Sequence, residues 1–309
     1  MSSVDLPALS APAAPRCGYV ALVGAPNAGK STLLNQLIGA KVSIVSPKVQ
    51  TTRSRVLGIV VEGAAQLVFI DTPGIFAPKR RLERAMVAAA WAGTEDADVV
   101  VVLADASRGT DGDTERIVDG LKSAGRRAVL ALNKIDLVPP PQLLPLAERL
   151  TKAGIFDAVF MISGLTGDGV GDLRRHLAAA VPEGPWLYPE DQLTDLPQRL
   201  LAAETTREQI FLQLHQELPY ATMVESDTWE ERDDGSVGIA QTIHVQRDSQ
   251  KAIVLGKGGR QIKEIGARAR AELERLLGRR VHLFLFVRVS GDWTEDRERY
   301  QAMGLEFES

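Results

Sequence analysis

Residues 24–31 read Gly24-Ala25-Pro26-Asn27-Ala28-Gly29-Lys30-Ser31, with Thr32 next. A Gly-x-x-x-x-Gly-Lys-Ser loop between an apolar run and a helix is built to hold phosphate. Gly24 and Gly29 let the backbone approach an anion closely. Successive N–H groups then form a nest, reinforced by the positive end of the helix that follows. Lys30 is expected to reach the terminal phosphates, and the Ser31 hydroxyl to ligate Mg²⁺. Further on, Asn133-Lys134-Ile135-Asp136 ends another apolar run. A carboxylate at Asp136 can accept both the N1–H and the exocyclic amine of guanine. Adenine does not present that pair, so the expected base is guanine.

Three further segments complete the chemistry. Asp71-Thr72-Pro73-Gly74 follows the run 67–70; Asp71 is expected to hold Mg²⁺ through water, and the Gly74 N–H to contact the γ-phosphate. Ser163-Gly164 is placed to touch the base. The polar stretch 43–53 holds two threonines. Thr52 is the expected second Mg²⁺ ligand, with Thr51, or a plain capping role for both, as the alternatives. Lys30, Thr52 and Gly74 thus form the expected catalytic set. The loops carrying them would order around the γ-phosphate and relax after hydrolysis. Ile75 stands where many signalling GTPases place a water-orienting glutamine, so unassisted hydrolysis is expected on the order of 10⁻³ per second or below. Asn27 offers an amide oxygen near the bridging phosphates, where resemblance to potassium-activated GTPases implies that K⁺ could substitute for an arginine finger; its other reading is that it only shapes the loop.

These residues need a scaffold. The runs 19–23, 67–70, 128–132 and 158–162 read as buried strands, and 31–37 as the start of a helix. Strand–helix alternation of this kind implies an α/β fold, a mostly parallel sheet with helices on both faces. It ends near Val181, where Pro182-Glu183-Gly184-Pro185 and Pro189-Glu190-Asp191 read as linker. At 309 residues the chain exceeds one ordinary core. The expected division is a disordered tail at 1–16, a nucleotide domain at 17–182, a linker at 183–196 and a second domain at 197–309. A single cysteine, Cys17, excludes an internal disulfide. No apolar stretch approaches the roughly 20 residues of a spanning helix, and residues 1–15 carry no basic residue, unlike a signal peptide. The cytoplasm is the default expectation.

Net charge is −4, but it is unevenly spread: residues 225–235 hold six acids and one arginine, while 247–291 hold eleven Lys or Arg against four acids. The local field decides where a polyanion docks. Within the basic region lies Ile253-Val254-Leu255-Gly256-Lys257-Gly258-Gly259-Arg260-Gln261-Ile262-Lys263. A Gly-x-x-Gly loop between two helices, with a basic residue inside it, is the mark of a KH domain. Gly256 and Gly259 allow close approach to a sugar-phosphate backbone. Lys257, Arg260 and Lys263 supply charge, and Ile253, Ile262 and Ile265 are expected to floor a groove for bases. With a helix at 198–216, strands from 221 and over 238–245, a helix over 260–277 and a strand over 281–289, the order is that of a type II KH domain, an α+β module.

Taken together, Gln50-Thr51-Thr52-Arg53, the guanine motifs, the KH loop, Glu217-Leu218-Pro219-Tyr220 and Gly291-Asp292-Trp293 resemble the Era family of bacterial GTPases from about Gly18 to Trp293. One departure is Ser163-Gly164, where that family usually has Ser-Ala. The resemblance implies a GTP-gated, GTP-hydrolysing factor that binds the 3′ end of 16S ribosomal RNA and assists maturation of the small ribosomal subunit. It also implies peripheral association with the inner membrane, and a monomer is the simplest expectation. The competing class is a slow GTP-dependent regulator of a protein or membrane partner, with the KH-like module as its docking surface.

Overall fold

In the computed structural model, which describes residues 14–53, 55–214, 218–291, 296–302 and 305–307, the apolar runs form a six-stranded sheet. Its strands are β1 (Arg16–Gly24), β2 (Val56–Glu62), β3 (Ala65–Asp71), β4 (Val99–Asp105), β5 (Ala128–Asn133) and β6 (Phe156–Met161), in the order β2-β3-β1-β4-β5-β6. β2 pairs antiparallel with β3, and the remaining pairings are parallel. Covered on both faces, the central strands are buried almost continuously rather than alternately, as β3 is along its whole length.

The covering helices are α1 (Lys30–Ile38), α2 (Arg81–Glu95), α3 (Gly112–Ser123), α4 (Pro140–Thr151) and α5 (Val170–Ala180). Leu33 and Leu37 of α1 meet Leu173 and Leu177 of α5 on one face, while Ala90 of α2 meets Ile117 and Leu121 of α3 on the other. The spacing of these pairs is that of one helical stripe. The carboxyl ends of β1, β3, β4 and β5 deliver Gly24, Asp71, Asp105 and Asn133 to one rim of the sheet, where open α/β folds form their ligand crevice.

The segment 183–196, read as linker, is bonded to this sheet. Gln66 lies in the buried strand β3 and needs partners there. Its Oε1 accepts from the backbone N–H groups of Leu187 (2.9 Å) and Tyr188 (3.0 Å), and its Nε2 donates to Tyr188 O. Trp186 Nε1 donates to Ala64 O, Ile59 N to Leu193 O, and Thr194 Oγ1 to Leu57 O. The connector therefore runs along the sheet to β2, and Leu196 still packs against the same core before α6 begins. The expected tail also shortens: Arg16 opens β1, and its Nε donates to Val181 O. Residues 1–13 of that tail lie outside the described residues.

The second unit contains α6 (Gln198–Gln213), β7 (Met223–Glu231), β8 (Val237–Val245), α7 (Asp248–Leu255), α8 (Arg260–Leu277), β9 (Val281–Val289) and a short α9 (Arg297–Ala302). β7 pairs antiparallel and β9 parallel with the central β8. Ile210, Ile243, Val254 and Ile265 meet in a core between the helices and one face of the sheet. The type II KH order is present, with local adjustments. α6 ends at Gln213, before the expected 216, and 215–217 lie outside the described residues. Pro219–Ala221 forms a 3-10 turn, so β7 starts at Met223 rather than 221. Glu230 and Glu231 of the acidic segment belong to β7, where Arg279 donates to both Glu231 oxygens. Asp292 and Trp293 also lie outside the described residues.

Candidate functional site

The phosphate loop is fixed by a neighbour far away in sequence. Gly29 has φ 97°, and a Cβ there would sit 2.3 Å from Asn133 Nδ2. That nitrogen donates to Ala28 O (2.8 Å), while Asn133 Oδ1 accepts from Gly164 N (2.8 Å). One amide thus ties the phosphate loop to the loop expected to touch the base. Thr72 donates to Leu22 O, anchoring the turn that brings Gly74 against Pro26. Ile75 is fully buried in the core; it faces away from the crevice. Lys30 Nζ donates to Gly24 O (3.0 Å) and Ala25 O (3.1 Å). Burial lowers its pKa to about 8, with the Asp71 carboxylate pulling the other way. Asn27, at φ 64°, donates through Nδ2 to Pro47 O (3.0 Å). Pro26, Asn27, Gly29, Lys30, Ser31, Thr32, Thr52 and Gly74 share one concavity.

Beside Lys30, three hydroxyls converge on one carboxylate oxygen. Ser31 Oγ donates to Asp71 Oδ2 (2.7 Å) and Ser43 Oγ does so at 2.8 Å. Thr52 Oγ1 lies 2.9 Å from Ser31 Oγ and 3.4 Å from the same carboxylate oxygen. The Thr51 hydroxyl turns away, to Ser46 Oγ and Lys48 O. Asp71 is fully buried, and burial raises its pKa, against the Ser31 hydrogen bond and the Lys30 charge. Its Oδ1 is buried with no hydrogen-bond partner among the described residues. An all-oxygen set with one carboxylate and one unsatisfied oxygen suits Mg²⁺, which keeps waters and completes its shell with substrate phosphates. Ser31 and Thr52 would hold the ion directly and Asp71 through water, lowering the charge barrier at the phosphates. Ser43 was not singled out from sequence; a serine in a polar loop carries no distinguishing signal.

At the base end, Lys134 takes φ 66° and its Nζ donates to Asp105 Oδ2 (2.6 Å). Burial opposes it, but the Lys134 and Ser107 hydrogen bonds leave the Asp105 carboxyl below its usual range. Asp105 was also missed; an acid ending a strand is common. Asp136 is exposed, with no hydrogen bond from its carboxylate among the described residues. Ser163 is buried, its Oγ accepting from Thr166 N. A Cβ at Gly164 would press on the Leu33 backbone at 3.3 Å.

The loop carrying Thr52 also touches the second unit. Val45 N donates to Glu208 Oε1 (2.8 Å), and Lys48 Nζ donates to the carbonyls of Phe211 and Leu214 at the end of α6. Arg207 donates to Thr51 O. Arg53 donates to Thr222 O (2.6 Å), Tyr220 O (2.7 Å) and Pro219 O (3.3 Å). Lys41 bridges Glu208 (2.6 Å) and Glu272 (2.9 Å).

In the second unit Gly256, Gly258 and Gly259 have φ of 69°, 62° and 76°, and Lys257, Arg260 and Lys263 are exposed around them. Beside the loop lies a groove of about 370 Å³, lined by Ile262, Lys263, Gly266, Arg270, Leu283 and Leu285 among others. Ile253 is 55% exposed, whereas Ile265 is wholly buried and belongs to the core rather than the groove floor. Ile262 lines the groove as expected; the members not singled out had a readable signal, since Gly266 and Arg270 follow Ile262 at four-residue steps along one helix face, and Leu283 and Leu285 alternate on one strand face.

A family model described as 50S ribosome-binding GTPase matches residues 19–134, and a KH domain model matches 217–294. GTPase Era of Afipia carboxidovorans is 60% identical over 292 residues, covering 94% of this chain and 95% of the relative. GTPase Era of Rhizobium meliloti is 58% identical, with 94% and 93% covered. Among solved structures, an Aquifex aeolicus Era variant bound to GDP·AlF4⁻ superposes with a TM-score of 0.89 at 41% identity, covering 94% of this chain and 99% of that one. The same values hold for Era in complex with MgGDPNP and nucleotides 1506–1542 of 16S ribosomal RNA. Nucleotide crevice, KH groove and full-length similarity agree, and the chain belongs to the Era family of GTPases.

Proposed function

We propose that this GTPase binds the 3′ end of 16S ribosomal RNA through its KH groove, in a manner gated by GTP, and so assists maturation of the small ribosomal subunit. The observation that carries the gating is the adjacency of Thr52 and Arg53. Thr52 joins the Ser31–Asp71 cluster, while Arg53 holds three carbonyls of the KH unit. A change at the γ-phosphate that moves Thr52 must move Arg53 with it. Such coupling needs an element contacted from both sides, and residues 45–53 are so contacted. The GTPase-domain model names the 50S particle but spans only 19–134. The relative that matches nearly the whole chain was solved with 16S RNA, so the small subunit is the better-supported target.

In this reading Gly24 through Thr32 cradle the phosphates, and Lys30, Thr52 and Gly74 act at the γ-phosphate. Ser31, Thr52 and water-bridged Asp71 hold Mg²⁺. Asn133, Lys134, Asp136, Ser163 and Gly164 hold guanine, and Ile253, Gly256 to Arg260, Ile262 and Lys263 hold RNA. Asn27 keeps its amide oxygen for K⁺ while its nitrogen ties the loop to Pro47; equal turnover in KCl and NaCl would remove the K⁺ role. The division into units at 17–182 and 197–309, monomeric action and peripheral inner-membrane association complete the reading. The monomer is the simplest expectation for a factor that docks on a large ribonucleoprotein, and the membrane association rests on family resemblance; no helix among the described residues is long and apolar enough to cross a membrane.

The test is binding of a labelled RNA matching the 16S 3′ end, against a scrambled control, in GDP and in a nonhydrolysable GTP analogue. Tighter, sequence-selective binding with the analogue is expected. Absence of selective binding in both states would return the chain to the alternative, a regulator of a protein or membrane partner.

A further inference from the structure

Between the two units, beyond the contacts of the switch loop, lies a cleft of about 340 Å³. Gln50 of the switch loop, Arg80 and Arg81 at the start of α2, and Arg247 before α7 line it, with Tyr220 and Tyr300 on its walls. The charge balance is positive. Glu83, the acid in the lining, already accepts from Lys79 N (2.7 Å), Arg80 N (3.1 Å) and Gln50 Nε2 (3.0 Å). Arg81 lies over the Phe307 ring at 4.9 Å. Arg80 and Arg247 are exposed and form no ion pair among the described residues, although Asp248 is next in sequence to Arg247. Helices α2 and α7 both begin at this cleft, so their positive ends add to the field of the guanidinium groups.

We propose that this cleft seats a phosphate group, and that its occupant is a backbone phosphate of the RNA strand held at the Gly-x-x-Gly loop. The proposal rests on the RNA-binding reading above. Helix α7 runs from the cleft to Gly256; its eight residues span about 12 Å, a distance that a few nucleotides of single-stranded RNA cover. Half-buried Tyr220 and Gln246 offer an aromatic and an amide contact to the attached nucleotide, the mix that single-stranded RNA favours, while wholly buried Tyr300 only backs the wall. Because Arg80 comes from the GTPase unit and Arg247 from the KH unit, a strand long enough to reach both fastens the seam. An RNA that fills only the groove does not.

The test uses the full chain with Arg247→Glu and, separately, Arg80→Ala. Two RNAs are compared: one of about four nucleotides, the length a KH loop clamps, and one extended on both sides. Unchanged melting temperature and GTP-analogue affinity in Arg247→Glu verify its fold. Both variants should bind the short RNA as the unsubstituted chain does. Each should bind the long RNA several-fold more weakly, with a salt dependence shallower by about 0.7 per lost phosphate contact. Calorimetric titration of the GDP-saturated chain with inorganic pyrophosphate, the phosphate loop being already filled, separates the sources of the anion. Loss of pyrophosphate binding with unchanged long-RNA affinity and salt slope would overturn the RNA occupant and leave a free-anion seat. No change in either ligand would overturn the seat itself. If the unsubstituted chain binds neither RNA, the parent reading fails, and the pyrophosphate titration alone decides the seat.

Discussion

Two glycine loops in this molecule present backbone to phosphate, and they are built in opposite ways. The loop at 24–31 is walled in: a Cβ at Gly24 would meet Leu103 O at 2.6 Å, and one at Gly29 would meet the Asn133 amide at 2.3 Å. Its lysine is buried. The loop at 256–259 has open space around Gly258 and Gly259, and its lysine stands in solvent. Only Gly256, where a Cβ would lie 2.6 Å from that of Gln261, is packed. Enclosure lets the first loop choose one ligand by shape and hydrogen bonding. Exposure lets the second track a polymer by charge, with little demand on which phosphate it meets.

The contrast can be broken in graded steps. The largest effect is expected at the enclosed site. Asp136→Asn removes the charged acceptor for two guanine donors and should weaken GTP binding roughly 10²–10⁴-fold while favouring xanthine nucleotides; competition titrations with both triphosphates measure it. Gly29→Ala forces an L-residue into φ 97° against the Asn133 amide, and should lower nucleotide affinity about 10²-fold while leaving RNA binding in place. Replacing Lys257 and Gly258 together with aspartates should do the reverse, weakening RNA about 30- to 100-fold at moderate salt without changing GTP affinity. A drop in both affinities would mean that the loops are not separable.

The smallest step is by pH. Lys30 titrates near 8 without nucleotide, and bound phosphates raise that value. GTP affinity should therefore be flat below pH 8 and fall by up to about tenfold per unit above it, with proton uptake visible by calorimetry in buffers of different ionisation heat. The nucleotide-free fold responds with the opposite sign. A depressed lysine pKa penalises the folded state fully below 8, and the penalty fades as pH rises toward the ordinary lysine value.

Much of this was legible in sequence because both loops are contiguous motifs whose chemistry resides in the backbone. Strand and helix periods framed them, and β9 was bounded as found. What escaped depends on partners distant along the chain. Arg53 was visible, but not its grip on the carbonyls of Pro219, Tyr220 and Thr222; neither Arg207 nor Glu208 announces that it faces the switch loop. Ile265 was misplaced by one helical row. Ile265, Ala269 and Leu273 form the buried stripe of α8, whereas Ile262, Gly266 and Arg270 form the neighbouring stripe that lines the groove. The connector read as linker because Pro, Glu and Gly suggest solvent, with Trp186 and Tyr188 as the residues to pack it against a domain. Both do pack on the sheet core, and buried Gln66, which carried no such signal, draws its backbone onto β3.

That connector has a consequence for how the units find one another. Bonded to β2 through Leu193 and Thr194, it leaves at most 195–197 as slack before α6 begins. A tether so short keeps α6 beside the switch loop at an effective concentration in the millimolar range or above. Contacts too feeble to join separate molecules then suffice to hold the seam. The docking equilibrium is also independent of how much protein the cell contains. A small bias at the γ-phosphate can tip it, because neither arrangement has to be strong.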